Sequence, residues 1–367
     1  MAKRHWTLGI AAAAALALGV GLWARPSRAV AAAPSTRAEM KPTARRRAPA
    51  PPPVATARAV SRRLPRAEQN LEAYLASARY PPSCRPMAEK PDLAEPHRVP
   101  VRTLPLAHGR ARVTLRQDRY YAAGDETVAL GITCAIGGAP APCDVISATA
   151  APAPDMPPVA GPVAVAFTSA DDGSVSAQLQ PSAQGFAAYH GPLRVTAVVR
   201  VGGEQGPASF DVEYTPAPPA TFTGTFREAL DGGSLDLYVG VNVMRGGRYL
   251  VRARVDDADG RRLAYLSDGA VLGPGAEEIR LQLFGKVVTD AGGRAPFQLR
   301  DLEGFLLEED TYPDRETMPG RDGVVYTTRA YAPGVLSPAD WESEAKERRV
   351  QLLEQQLDVA MRSADPG

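Results

Sequence analysis

From Ala111 onward the apolar residues fall on every second position, run after run. Ala111, Val113 and Leu115 alternate with polar neighbours, as do Val128, Leu130, Ile132 and Cys134. Val175, Ala177 and Leu179 repeat the pattern, then Leu193, Val195 and Ala197, then Phe210, Val212 and Tyr214. A period of two turns one face of a strand to a core and the other to water. Several such short runs, separated by turn signals such as Asp172-Gly173, predict an antiparallel sandwich.

Thr215-Pro-Ala-Pro-Pro219 is a stiff break, after which the pattern resumes. Leu235 and Leu237 open a strand, and Tyr249, Val251, Ala253 and Val255 form the cleanest alternation in the chain. Asp256-Asp-Ala-Asp-Gly260 turns it, and Leu263 and Tyr265 return. Ile279, Leu281 and Leu283, then Phe297 and Leu299, then Phe305 and Leu307 close the block. The expected fold class is mainly β: tandem antiparallel immunoglobulin-like β-sandwiches over 108–216 and 220–308. Residues 309–336 are expected to be irregular, with Tyr312, Tyr326 and Tyr331 pinning them to the sheet.

Helical spacing occurs only near the ends. Leu71, Tyr74, Leu75 and Ala78 share one helix face, and Pro81-Pro82 end a short helix over 65–80. The proline-rich stretch 81–107 completes a 65–107 lead-in and is expected to lie extended along the first sandwich. At the other end Ser337 is placed to cap, and Pro338 to begin, an amphipathic helix over 337–363. Glu342/Lys346 and Glu344/Arg348 are favourable i,i+4 pairs. Val350, Leu353, Leu357 and Ala360 make its apolar stripe, which either docks on the protein's own body or meets a partner.

The first 29 residues read as an export signal. Lys3 and Arg4 precede an apolar run from Thr7 to Trp23, and Ser27 and Ala29 suit the −3 and −1 positions of a cleavage site. Ten of the 17 residues in that run are Ala, Gly or Thr, and Arg25 and Arg28 follow it at once. Weak hydrophobicity and positive charge on the exported side favour removal over a stable anchor. Inner-membrane tethering by residues 7–23 remains the alternative, and the protein is expected in the periplasm or outside the cell. Residues 30–64 are a Pro/Ala/Arg-rich linker that cannot bury enough apolar surface to fold.

Charge divides the chain. Of the 42 basic and 41 acidic residues, 12 and one lie in 1–64, leaving 30 basic and 40 acidic beyond. An acidic body is a poor nucleic-acid binder. Membrane contact is expected only through the N-terminal segment.

Three cysteines are present. Cys134 and Cys143 flank a hairpin, and an exported compartment permits them to bridge. A loop of about ten residues closed this way contributes roughly 2.7 kcal/mol. Cys84 is the odd one, either a free thiol or a partner for another cysteine. Nothing reads Cys-x-x-Cys, so zinc and thioredoxin-like chemistry are disfavoured. A Gly-x-Ser-x-Gly elbow and a Gly-rich phosphate loop are also missing from the sequence.

Arg248-Tyr-Leu-Val-Arg-Ala253, Asp259-Gly-Arg-Arg-Leu-Ala264, the Gly273-Pro-Gly275 turn, and Phe284-Gly-Lys286 leading to Pro296-Phe-Gln-Leu-Arg300 make the second block resemble a bacterial envelope domain type called choice-of-anchor X. With the preceding sandwich, the layout is similar to secreted bacterial proteins with tandem immunoglobulin-like domains. The resemblance implies a fold and an envelope location and no activity. It covers some 80 residues closely. The chain shows no apolar C-terminal sorting tail, so any anchoring is expected from the N-terminus.

Candidate sites are few. Asp256, Asp257 and Asp259 could supply oxygen ligands to calcium, although Asp and Gly are also what a hairpin turn needs. His97, His108 and His190 stand apart from one another. Glu308-Glu309-Asp310 reads as a solvated strand end. No catalytic residue and no cofactor are expected. The expected function is a non-enzymatic extracytoplasmic protein that binds or presents, with an envelope protein or a glycan as partner. The alternatives are an assembly factor acting through the C-terminal helix and a carboxylate- or metal-dependent enzyme.

Overall fold

The alternating runs become strands that pair into four sheets, all antiparallel among the described residues except for one parallel contact. The computed structural model describes residues 63–95, 99–106, 109–154, 156 and 161–364. Residues 1–62, on which the expected export signal and linker fall, and His97 and His108 lie outside them. Helix α1 (Arg63–Ser77) comes first, then β1 (Cys84–Pro86), β2 (Arg102–Pro105), β3 (Ala111–Gln117), β4 (Tyr121–Ala123) and β5 (Val128–Ile136). Next come β6 (Ala139–Ala141), β7 (Asp144–Pro152), β8 (Val163–Ala164), β9 (Thr168–Ser169), β10 (Val175–Leu179), β11 (Gly191–Val201) and β12 (Glu204–Thr215). Then follow β13 (Ala220–Asp231), β14 (Ser234–Val243), β15 (Gly247–Asp256), β16 (Arg262–Leu272) and β17 (Gly275–Leu283). Helix α2 (Gly285–Ala291), β18 (Gln298–Leu307), β19 (Arg315–Thr327) and helix α3 (Glu344–Ala364) end the chain.

The first sandwich packs the sheet β2-β3-β5-β10-β9 against β4-β12-β11-β7-β8. Its core is made by the residues that set the sequence period, with Phe186, Phe210 and Tyr214 as the largest fully buried side chains. The second sandwich packs β1-β16-β15-β18-β19 against the three-stranded β13-β14-β17, around Tyr249, Phe297, Leu235 and Leu237. Fully burying one such side chain is worth roughly 1.5–3 kcal/mol. Two buried tyrosine hydroxyls are paired, as burial favours: Tyr249 donates to Pro219 O (3.0 Å) and Tyr214 to Gly124 O (3.0 Å). Cys134 of β5 and Cys143, which follows the β5–β6 hairpin, are joined, with Cα atoms 5.5 Å apart. Cys84 is a buried free thiol that accepts a hydrogen bond from Phe284 N (3.4 Å), and burial pushes its pKa up to about 12.

Three local readings of the sequence change. The lead-in is shared between the sandwiches: β1 pairs with β16 of the second, and only β2 pairs with β3 of the first. Residues 315–327, expected to be irregular, are β19. Three register shifts against β18 break its alternation, so the period of two is not visible in sequence. The C-terminal helix starts at Glu344, not Ser337, and Ser343 Oγ caps it by accepting from Lys346 N (3.1 Å). Ser337 Oγ instead takes the Ala339 N–H in a local turn. Tertiary bonds hold the intervening chain extended. Ser337 N donates to Gly233 O (2.8 Å), Lys286 Nζ to Pro338 O (3.1 Å), and Trp341 N to Arg79 O (3.0 Å). Gly285 makes this clasp possible, because a Cβ there would lie 2.2 Å from Gly233 O and 2.7 Å from Ser337 N.

Helix α3 packs on α1. Leu353 and Ala360 of its stripe are buried, and Val350 and Leu357 are half-buried. The expected ion pairs form, Lys346 with Glu342 at 2.9 Å and Arg348 with Glu344 at 3.2 Å.

Candidate binding cleft between the sandwiches

The two sandwiches meet where the outward faces of β4, β12, β15, β18 and β19 converge. Two backbone donors of β19 reach across: Thr317 N bonds Thr215 Oγ1 (2.9 Å) and Gly320 N bonds Glu126 Oε1 (3.2 Å). Arg119 of the first sandwich lies 3.5 Å from Asp322 of the second and 3.2 Å from Glu126. Aromatic rings continue the join. Tyr121 meets Phe305 edge-on with centroids 5.1 Å apart, and Tyr120 meets Tyr121 in the same manner at 5.0 Å. The Arg315 guanidinium stands 5.6 Å from the Phe305 ring centre and 6.0 Å from that of Tyr121, within cation–π range.

A hollow of about 140 Å³ opens beside these rings. Arginines of β15 furnish its charge. The apolar positions Val251, Ala253 and Val255 enter the core, so Arg252 and Arg254 point together to the other side of the sheet. Arg254 is buried and fully engaged, donating to Leu93 O (2.6 Å), Glu95 O (3.0 Å) and Asp301 O (3.5 Å). These bonds fasten the lead-in over the sheet. Arg252 sits 5.2 Å from the Phe305 ring centre, and its Nε is buried without a hydrogen-bond partner.

Glu213 is the second unusual group at the seam. It lies on the outward face of β12, 5% exposed, and its Oε1 is buried without a partner. Burial, reinforced by the Asp314 carboxylate and partly offset by Arg315, pushes its pKa up to about 7. Burial and the nearby Glu213 charge push Tyr120 up to about 12. Neither Arg252 nor Glu213 belongs to a catalytic or ligand-binding motif. The only trace in sequence is that each is a charged residue at the outward position of a clean alternation, which by itself signals a solvated face.

The calcium candidates do not converge. Asp256 Oδ2 accepts from Arg300 (2.8 Å), and Asp259 accepts from Arg294 (2.5 Å). Asp257 takes the backbone N–H groups of Asp259 and Arg261 (2.9 Å each) and the Arg261 guanidinium (2.7 Å). Burial alone would raise the Asp257 pKa, but these bonds outweigh it and hold the carboxyl below its usual value. Among the described residues no group of three or more His, Cys, Asp or Glu is placed to hold a metal. Glu308 and Glu309 pair with Arg245 (3.6 Å) and Arg248 (3.4 Å). His190 is half-buried.

A wider, shallower hollow of about 530 Å³ lies on the outer face of β13-β14-β17. Its charges satisfy one another. Arg227 Nε bonds both oxygens of Glu278 (2.8 and 2.9 Å) while its guanidinium covers Tyr238 at 3.4 Å, and Asp236 accepts from Arg280 and Gln282. At the seam Arg252 Nε, Glu213 Oε1 and Thr317 Oγ1 are buried without partners, as are His190 Nε2, Glu228 Oε2 and Asp256 Oδ1 elsewhere.

No family model matches the chain, and no curated protein matches it in sequence. Solved structures similar to it include a DUF4785 family protein from Legionella pneumophila, 13% identical, covering 60% of this chain and 56% of that protein, with a TM-score of 0.37. A DUF3823 family protein from Parabacteroides merdae is 13% identical over 48% of this chain and 86% of its own (TM-score 0.20). A Yersinia pseudotuberculosis adhesin is 15% identical over 59% and 60% (TM-score 0.20). Among the described residues no helix is long and apolar enough to cross a membrane.

Proposed function

We propose that this protein is a non-enzymatic extracytoplasmic protein, in the envelope or secreted, whose two immunoglobulin-like sandwiches serve binding or structural presentation. The observation that supports this most is the seam. Backbone hydrogen bonds and interlocked rings join the sandwiches across one surface, and the hollow there is lined by Arg252, whose Nε has no hydrogen-bond partner. Clefts at domain boundaries are common ligand sites. The extracytoplasmic part of the proposal rests on the signal-like residues 3–29. The apolar stripe of α3 is occupied by α1 within the chain, which weighs against an assembly role through that stripe.

Glu213 favours a second reading. A carboxyl titrating near 7 suits general acid–base work. At 5% exposure its carboxylate is shielded from substrate.

Cosedimentation of the full chain with purified peptidoglycan sacculi and with outer-membrane vesicles separates the two. Saturable binding to one of them is expected, unchanged by Glu213→Gln, with no turnover of generic ester, phosphate or glycoside substrates. Turnover that disappears in Glu213→Gln would replace the binding reading with the enzymatic one. Failure to sediment with either material would remove the binding reading.

A further inference from the structure

We propose that the hollow beside Arg252 binds a small ligand through a single carboxylate, such as an N-acylated amino acid. The inference deepens the binding reading above and rests on it.

A guanidinium donor shut away from water without an acceptor is costly. Arg252 Nε is in that position. Its neighbour on the same strand face shows that the protein can satisfy an arginine there with its own atoms, since Arg254 uses three backbone carbonyls. Among the described residues no carbonyl serves Arg252 in the same way; its Nε is closed to water, and the side chain lines open space of about 140 Å³. The planar fork of a guanidinium is matched by the two oxygens of a carboxylate.

The walls narrow the ligand class. Tyr120, Tyr121, Tyr265 and Phe305 line the hollow and would pack against a short acyl or aliphatic stem. Acids stand at its edge: Asp92 and Glu95 are exposed at the mouth. Their negative charge opposes phosphates, sulfated glycans and other polyanions while leaving one carboxylate acceptable to the arginine. A ligand seated here touches Tyr120 and Tyr121 of the first sandwich and Arg252 and Phe305 of the second, so it would strengthen the join.

The test uses the full chain with N-acetylalanine, its uncharged methyl ester and inorganic phosphate as probes, followed by amide chemical shifts. Saturable shifts with N-acetylalanine are expected, with neither the ester nor phosphate matching them. Arg252→Gln should weaken N-acetylalanine binding by about tenfold or more, while Arg227→Gln, on the far face of the three-stranded sheet, should not. Equal binding of acid and ester, preference for phosphate, or unchanged binding by folded Arg252→Gln would overturn the proposal. Should Arg252→Gln not fold, the comparison of acid with ester on the unaltered chain decides alone. If N-acetylalanine does not bind but the chain still sediments with an envelope material, the carboxylate site is wrong and the binding reading stands.

Discussion

The two sandwiches share an architecture and are held together by different means. The first carries the covalent cross-link, Cys134–Cys143, and its ion pairs are mostly exposed, such as Arg200 with Asp144 and Arg194 with Asp211. The second relies on buried aspartates paired with arginines, whereas the first buries two glutamates, Glu204 and Glu213. Asp236, Asp256, Asp257 and Asp301 are each at most 3% exposed, and each is held by an arginine. The second also gathers the ends of the described chain. Lys286 and Asp290 of α2 hold Asp340 (3.1 Å) and the Tyr80 hydroxyl (2.8 Å), one from each end. The lesson is that the second sandwich is the frame to which the rest is fastened, and the first is a stapled unit attached to it at the seam.

Breaking the frame should cost most. Asp257→Ala removes the acceptor for two backbone N–H groups and a guanidinium at a fully buried position. A loss of about 3–4 kcal/mol is expected from urea unfolding. A loss below about 1 kcal/mol would mean that the buried acids do not hold the second sandwich.

The seam should respond to pH through Glu213. Its folded pKa of about 7 lies above the ordinary 4.5, so the folded state prefers the proton. Stability from this group is fully present below pH 4.5 and is lost as pH rises through 7, by an amount on the order of 3 kcal/mol. Glu213→Gln should flatten that part of the stability profile. A profile unchanged by Glu213→Gln would show that the carboxyl is not the cause.

Removing the staple should be felt in the first sandwich alone. Cys134→Ser with Cys143→Ser is expected to cost roughly 2.7 kcal/mol, with hydrogen exchange rising in β5 and β7 but not in β14 to β16. A uniform rise across both would contradict the division drawn above. Smallest of all, Thr215→Val leaves the Thr317 N–H without its acceptor at the seam. About 1–2 kcal/mol is expected, read in calorimetry as a single transition broadening toward two.

What the sequence made legible follows from where information is local. The alternation of Tyr249, Val251, Ala253 and Val255 is a property of one strand and reads directly as a core face. β19 was hidden because its pairing with β18 shifts register three times, which erases the period. Ser337 looked like a cap because Ser-Pro is a common helix start. The bonds that keep it out of the helix come from Gly233, Lys286 and Arg79, far away in sequence. The cleft was less legible still. Arg252 and Arg254 are two residues apart and alike in sequence, yet one is spent on Leu93 and Glu95 while the Nε of the other is left over. Glu213 reads as one more polar position between Val212 and Tyr214, and its burial beside the charges of Asp314 and Arg315 comes from residues far away in sequence.

Hydrogen exchange of the full chain, with and without the envelope material it sediments with, tests the central claim directly. If the sandwiches bind as one body through their seam, exchange should slow together in the segments 118–126 of the first and 303–322 of the second. Slowing confined to α3 or to the outer face of β13-β14-β17, or to one sandwich alone, would contradict it.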